Sequence, residues 1–342
     1  MKKKICLVIC WFGEFPSYIN IWLKSCEYNS DFTFLIFTDS DIKYRLPPNV
    51  KMIPFSIEMF IDRANSVLKK KIHFNRPYRV CDFRPCFGMI FRNEISDYDF
   101  WGYCDIDVVF GKLNGFITEN DLNEYDAIFN GGHFSLLRNV EKINRLYLKD
   151  GAAFDFDTVS THDAVFAFDE ITGIQSIARE NKVKAKYMIP YIETEIRFTQ
   201  LRSRLGAFNP AHQAFYWENG ELYRVKCDAG EVLFQKQAYI HLQKRKLIVD
   251  INKGNIENSF WITPFGFETK KYLGKPTPED IDKYNHYEGE YELKKQDIQY
   301  KFKKILAILK RTPFQIYVRL KQEKFGINRN QGTLEERLWE KY

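Results

Sequence analysis

The chain has 342 residues, including 30 Phe and 20 Tyr, and carries a formal net charge of +6. That length can bury a sizeable core in one large domain or two modest ones, and no apolar run approaches the roughly 18–20 residues needed to span a bilayer. Seven cysteines, an odd number without a CxxC pair, argue against a disulfide framework or a zinc site and fit reduced thiols in a cytoplasm.

The opening "MKKKICLVICWFGEFP" imitates a signal peptide. Its apolar part is short, however, is cut by Gly13, Glu14 and Pro16, and has no small-residue cleavage site after it. It reads as a first buried strand. "ICLVICWF" and "FTFLIFTD" are continuous apolar runs, as expected of strands covered on both faces. "SYINIWLKSCEYN" between them predicts a helix, so the chain opens as a β-α-β unit. "VKMIPF" predicts a third strand, and "IEMFIDRANSVLKKK" a helix with apolar residues at three-to-four spacing. "RVCDFRPCFGMIFRNEI" predicts another helix, with Pro85 tolerated in its early turns. It leads into the strand "DFWGYCDID". Strands alternating with helices predict an α/β domain with a mostly parallel sheet.

Further along, "YDAIFNGGHFSLLRN" reads as two strands about a Gly-Gly turn, and "EKINRLYLK" as a helix. "AVFAFDEITGIQSIARENK" reads as an apolar segment, an acidic pair and a helix, and "ELYRVKCDAGEVLFQKQAYIHLQKRKLIV" alternates like antiparallel strands. No internal repeat interrupts this order. The main domain is expected over residues 1–268, with a C-terminal extension over 269–342. From Lys294 to Lys324, ten Lys/Arg face only Asp297 and Glu323, a net of +8 in a chain whose total is +6. Charge so concentrated argues for a local partner surface and against general nucleic-acid binding. "KFKKILAILKRTPFQIYVRLKQEK" sets cations around apolar residues at helical spacing, interrupted by Pro313. That pattern suits either an anionic membrane surface or a helix packed on the body.

Asp105 and Asp107 stand at the end of the apolar strand "DFWGYC", where an unpaired charge is expensive to bury. Carboxylate oxygens there suit magnesium, calcium or manganese, and ligands of open α/β sheets gather outside the carboxyl ends of strands. A solvated turn would show the same spacing. His241 closes an alternating run and is followed by Lys244, Arg245 and Lys246, which suits a metal with a diphosphate or a solvated basic strand end. Gly131 and Gly132 allow close backbone approach to a sugar, with His133 able to hydrogen-bond it; a plain hairpin turn fits equally. Asp169 and Glu170 precede a predicted helix, so one can cap it while the other serves as a general base. Asp169 is expected as base and Glu170 as cap. Phe100, Trp101 and Tyr103 suit sugar stacking or, more ordinarily, the core.

Thr38–Asp39, "YRVCDFRPCFG", "FWGYCDIDVVFGKL", "GGHFSLLRN", "FDE" and "HLQKRK" in this order together resemble a bacterial glycosyltransferase-like family of polysaccharide gene clusters, over residues 4–265. The resemblance implies a GT-A fold and transfer of a sugar, a hexose by expectation, from a nucleoside-diphosphate donor such as a UDP-sugar; a base at Asp169 would favour inversion over retention. It implies that Asp105 and Asp107 grip manganese (or magnesium) and the donor diphosphate, and that His241 completes the metal shell. It further implies that Cys10, Trp11, Phe12 and Asp39 hold base and ribose, and that Arg79 and Asp82 form a donor-facing pair, with Arg84 a further candidate. Lys244 and Arg245 would stabilise the leaving diphosphate. Gly131, Gly132 and His133 would meet a glycan or lipid-linked acceptor, at the inner face of the cell membrane. Two rival readings remain. The motif Asp-Ile-Asp-Val-Val also resembles the nucleophile of haloacid-dehalogenase-type phosphatases, although it lies a hundred residues in and no Asp-Asp pair follows. A non-catalytic sugar-binding scaffold is the other.

Overall fold

The computed structural model describes residues 2–328 apart from 42, 44, 75, 205–208, 229–230, 244, 246, 250–257 and 271–274. Strand β1 (Ile5–Trp11), helix α1 (Ile19–Glu27), strands β2 (Phe32–Thr38) and β3 (Val50–Pro54), and helix α2 (Ile57–Leu68) follow the expected order. β1, β2 and β3 pair in parallel. Alternate residues explain why these strands are apolar throughout. Cys6 and Val8 pack into the core on one face of the sheet, while Ile5, Leu7 and Ile9 pack into the core on the other. Ser56 caps α2 by accepting from the Met59 amide at 3.2 Å.

The helix expected from residue 79 is a different object. Pro77–Cys86 forms consecutive 3-10 turns before the short α3 (Phe87–Ile90). Pro85 lies inside this run and lacks the N–H that an α-helix would use. Then come β4 (Phe100–Cys104), β5 (Val108–Phe110), α4 (Glu119–Glu124) and the antiparallel hairpin β6 (Ala127–Asn130) and β7 (Phe134–Arg138). The expected helix at 141–149 is a single turn, α5 (Glu141–Asn144), followed by a 3-10 turn. After α6 (Phe156–Thr161), the apolar segment at 164–168 joins no sheet. Its Phe166 and Phe168 amides donate instead to the Asp82 carboxylate. A wide turn at Ile171–Gln175, kinked at Gly173, leads into α7 (Ser176–Glu180).

With β8 (Ala185–Tyr187), the main sheet has the order β3-β2-β1-β4-β7-β6-β8. β4 continues the parallel set beside β1, β7 runs antiparallel to both β4 and β6, and β8 lies parallel to β6. The protein is therefore mixed α/β with a largely parallel central sheet. The chain leaves β1 on one side for β2 and β3 and resumes on the other with β4, so a topological switch point lies at the carboxyl ends of β1 and β4.

β9 (Ile192–Glu193) and β13 (Tyr239–His241) join β5 in a small sheet, β5-β13-β9. Between them, β10 (Gln213–Glu218), β11 (Glu221–Asp228) and β12 (Glu231–Gln237) form an antiparallel meander, completed by β14 (Ile248–Val249), β15 (Ser259–Ile262) and β16 (Gly266–Thr269). The boundary expected at 268 falls inside β16. α8 (Pro278–Tyr284) also belongs to the body, burying Ile281 and Tyr284 against Trp261. α9 (Glu290–Leu309) and α10 (Pro313–Asn328) end the described chain, with the break at Pro313. α10 packs on the body, because Val318 is buried, Phe314 stacks on His162 and Gln322 donates to the Phe166 carbonyl. Among the described residues, no helix is long and apolar enough to cross a membrane.

Candidate active site

A cleft of about 950 Å³ opens at the switch point, lined by Cys10, Trp11 and Phe12 from the end of β1 and by Asp105 and Asp107 after β4. That size lies within the range of small-molecule sites, about 300–1,000 Å³. The small sheet completes it. Pairing of β13 with β5 sets His241 opposite Val108, and pairing with β9 sets His241 beside Glu193. His241 Nε2 comes 3.3 Å from Asp107 Oδ1 and 3.7 Å from Asp105 Oδ2. Its Nδ1 lies 2.9 Å from Glu193 Oε2.

Glu193 is the organiser that sequence reasoning missed. It is buried, touches His133 Nε2 at 3.2 Å as well as His241, and accepts from the Gln243 amide. Burial works against its charge, but hydrogen bonds from the two histidines outweigh burial and hold its carboxyl far below the usual range. Burial likewise opposes charge on His241, yet bonds to Asp107 and Glu193 raise its pKa well above the ordinary value. His133 goes the other way: burial and the neighbouring His241 lower it. Its Nδ1 sits 3.0 Å from the Tyr239 hydroxyl. The only available sequence signal was an acid in the apolar run "IPYIETE".

Among the described residues, two sets of side chains could hold a cation: Asp105, Asp107 and His241, or His133, Glu193 and His241. The first opens to the cleft with its ligand atoms within 4.8 Å of one another. In the second, Glu193 already serves both histidines. The donor set of the first, two carboxylates and an imidazole, suits manganese or magnesium. Glu193 at Nδ1 orients the ring so that Nε2 faces the two aspartates, the arrangement expected behind a metal-binding histidine.

Arg84 also lines the cleft. It donates to Asp105 Oδ1, to Asp169 Oδ2 at 3.0 Å and to the Gly132 carbonyl at 2.8 Å. Burial opposes charge on Asp105, but Arg84 and then His241 outweigh it and lower its pKa. Asp169 is buried, and that burial lifts its pKa well above the carboxylate range, only partly offset by Arg84. Glu170 is reachable by water within the cleft. Desolvation by the surrounding walls, followed by the charges of Asp105, Asp82 and Glu193, pushes it up to about 6. No side-chain bond from Glu170 caps the following turn. Arg84 thus holds Asp169, while Glu170 faces the cleft without the capping bond expected of it.

Gly131 has φ +57°, in the left-handed region, and a Cβ at Gly132 would lie 2.7 Å from Glu170 Cγ. Both glycines and His133 line the cleft beside the acidic pair. Asp39 is an exposed residue that accepts from the Gly13 amide at 2.9 Å, bracing the loop after Trp11.

Two expectations change. The Arg79–Asp82 pair is buried and turned inward: Arg79 donates to Asp82 and to the carbonyls of Val159 and His162, while Asp82 takes two backbone amides. It holds the 159–168 segment in place of offering a guanidinium to a ligand. Arg245 reaches the cleft, but its two terminal nitrogens donate to the carbonyls of Glu195, Phe198 and Thr199, and burial lowers its pKa to about 10. Lys244 lies outside the described residues. Phe100, Trp101 and Tyr103 are wholly buried and belong to the core. Arg204, exposed at the cleft and not singled out by its sequence, makes no ion pair among the described residues.

The chain belongs to DUF6625, a family of unknown function. The match covers residues 7–271, which includes every side chain of the cleft named above. No curated protein matches it significantly. Among solved structures, the chain is similar to the glycosyltransferase GlyE of Streptococcus pneumoniae TIGR4, at 16% identity and a TM-score of 0.29, over 55% of this chain and 45% of that one. The match thus spans less than half of GlyE's length.

Proposed function

We propose that this protein is a metal-dependent glycosyltransferase, moving a sugar from a nucleoside-diphosphate donor, a UDP-sugar in the first instance, to a hydroxyl of a glycan or lipid-linked acceptor. The observation that carries the reading is the convergence of Asp105, Asp107 and His241 at the switch point, with Glu193 orienting the imidazole. A bound manganese or magnesium would offset charge on the leaving diphosphate as a Lewis acid. Asp105, Asp107 and His241 would hold it. Cys10, Trp11 and Phe12 wall the neighbouring end of the cleft, where the base and ribose would lie, and Arg204 offers a cation for phosphate oxygens.

Glu170 suits the acceptor side. A carboxylate with a pKa near 6 is a competent base close to neutral pH. The acceptor oxygen bonds to the anomeric carbon as that carbon's bond to the diphosphate oxygen breaks, the diphosphate leaves with the electron pair, and the hydroxyl proton passes to Glu170. A base on the acceptor side favours inversion. Arg84 keeps Asp105 and Asp169 in place from one guanidinium, linking the donor and acceptor sides of the cleft.

The test measures nucleoside diphosphate release from a panel of nucleotide sugars, with and without manganese. Release that requires the metal and disappears in a folded Asp107→Asn variant supports the reading. No release from any donor, or undiminished release from the variant, refutes it.

A further inference from the structure

We propose that the outer face of α9 is a docking surface for an anionic lipid bilayer. Tyr291, Ile298, Phe302, Ile305 and Leu309 recur at spacings of seven, four, three and four, which places them on one face of an α-helix. All five are exposed, by 56–81%. The body holds the opposite side of the first turns, where Leu293 is buried, the Gln296 side-chain oxygen accepts from the Thr199 amide at 2.9 Å and Asp297 pairs with Arg197 at 2.9 Å; from Lys301 to Ala307 the helix is exposed all round. A surface helix ordinarily buries its apolar stripe. This one turns the stripe away from the body.

The charges choose the occupant. Lys294, Lys295 and Lys301 border the stripe, with Lys303, Lys304, Lys310 and Arg311 further along. Lys301 and Lys295 have acidic neighbours in Asp297 and Glu292, yet the segment from Lys294 to Lys324 keeps its excess of eight positive charges. Two copies meeting through this stripe would set lysine against lysine. An anionic bilayer attracts the same border while its acyl boundary takes the apolar side chains, the usual arrangement of a helix lying in the interface. Tyr291 at one end suits the headgroup level. The first turns of α9 also line a pocket of about 370 Å³ that shares Arg204 with the cleft, so a membrane-held helix keeps the cleft nearby.

Vesicle sedimentation of the full chain tests this, using phosphatidylcholine alone and phosphatidylcholine with phosphatidylglycerol. Binding should need phosphatidylglycerol and weaken with salt. Lys295→Gln with Lys301→Gln should weaken it about fivefold per charge. The triple variant Phe302→Ser, Ile305→Ser, Leu309→Ser should abolish it without a change in circular-dichroism melting. Equal partitioning of wild type and triple variant overturns the proposal, as does equal binding to neutral vesicles. A wild-type dimer in sedimentation velocity that the triple variant dissolves, with no vesicle binding, assigns the face to a second copy and also overturns it. The readout needs no turnover, so it stands or falls separately from glycosyl transfer.

Discussion

His241 Nδ1 lies 2.9 Å from Glu193 Oε2, and the two residues are register partners on the parallel strands β13 and β9. Backbone pairing thus fixes which imidazole nitrogen faces Asp105 and Asp107. Replacing Glu193 by Gln preserves its volume but removes the charge that orients the ring. Manganese affinity, measured by isothermal titration calorimetry, should fall by about 10–100-fold, the usual cost of losing such a partner. Unchanged affinity in a folded variant would remove Glu193 from the metal site.

Glu170 should set the pH dependence of transfer. A general base acts in its deprotonated form, so the rate should rise with pH through about 6, the value to which the cleft pushes this carboxyl. Glu170→Gln should flatten that limb and lower kcat by about 10²–10⁴-fold while donor affinity holds. Asp169→Asn should also disturb Arg84, its partner at 3.0 Å. An Asp169→Asn enzyme that loses the acidic limb while Glu170→Gln retains it would return the base to Asp169.

Gly132 separates activity from stability. An added Cβ would approach Glu170 Cγ at 2.7 Å and Asp169 Oδ2 at 3.1 Å. Glu170 is an exposed side chain that can swing aside, so Gly132→Ala should melt close to wild type. Moving the base should still lower kcat, since a misplacement of about 1 Å can cost 10²-fold. A normal kcat would show that Glu170 is not used in the position it occupies here.

Asp82 should behave as a structural residue. Asp82→Ala strands the buried Arg79 guanidinium and leaves the Phe166 and Phe168 amides without their acceptor. Breaking such a buried pair costs about 3–5 kcal/mol, and chemical denaturation should show a loss of that order. A variant as stable as wild type but defective in donor binding would restore the ligand-facing role.

How much of this was legible in the sequence follows from the range of the forces involved. Continuous apolar runs determined β1 and β2, and the Gly-Gly turn the β6–β7 hairpin, because burial on two faces and turn geometry act within a few residues. The strand-end carboxylates Asp105 and Asp107 announced their cost locally, and His241 its cations. Whether those three meet was decided by β5, β13 and β9, strands distant in sequence that share one small sheet. The same long-range contacts turned Arg79 and Asp82 inward, placed Arg84 between Asp105 and Asp169, and left Glu170 at the cleft without the expected cap bond. Which charged group a carboxylate faces depends on residues far away in the chain, and no local pattern of side chains carries that information.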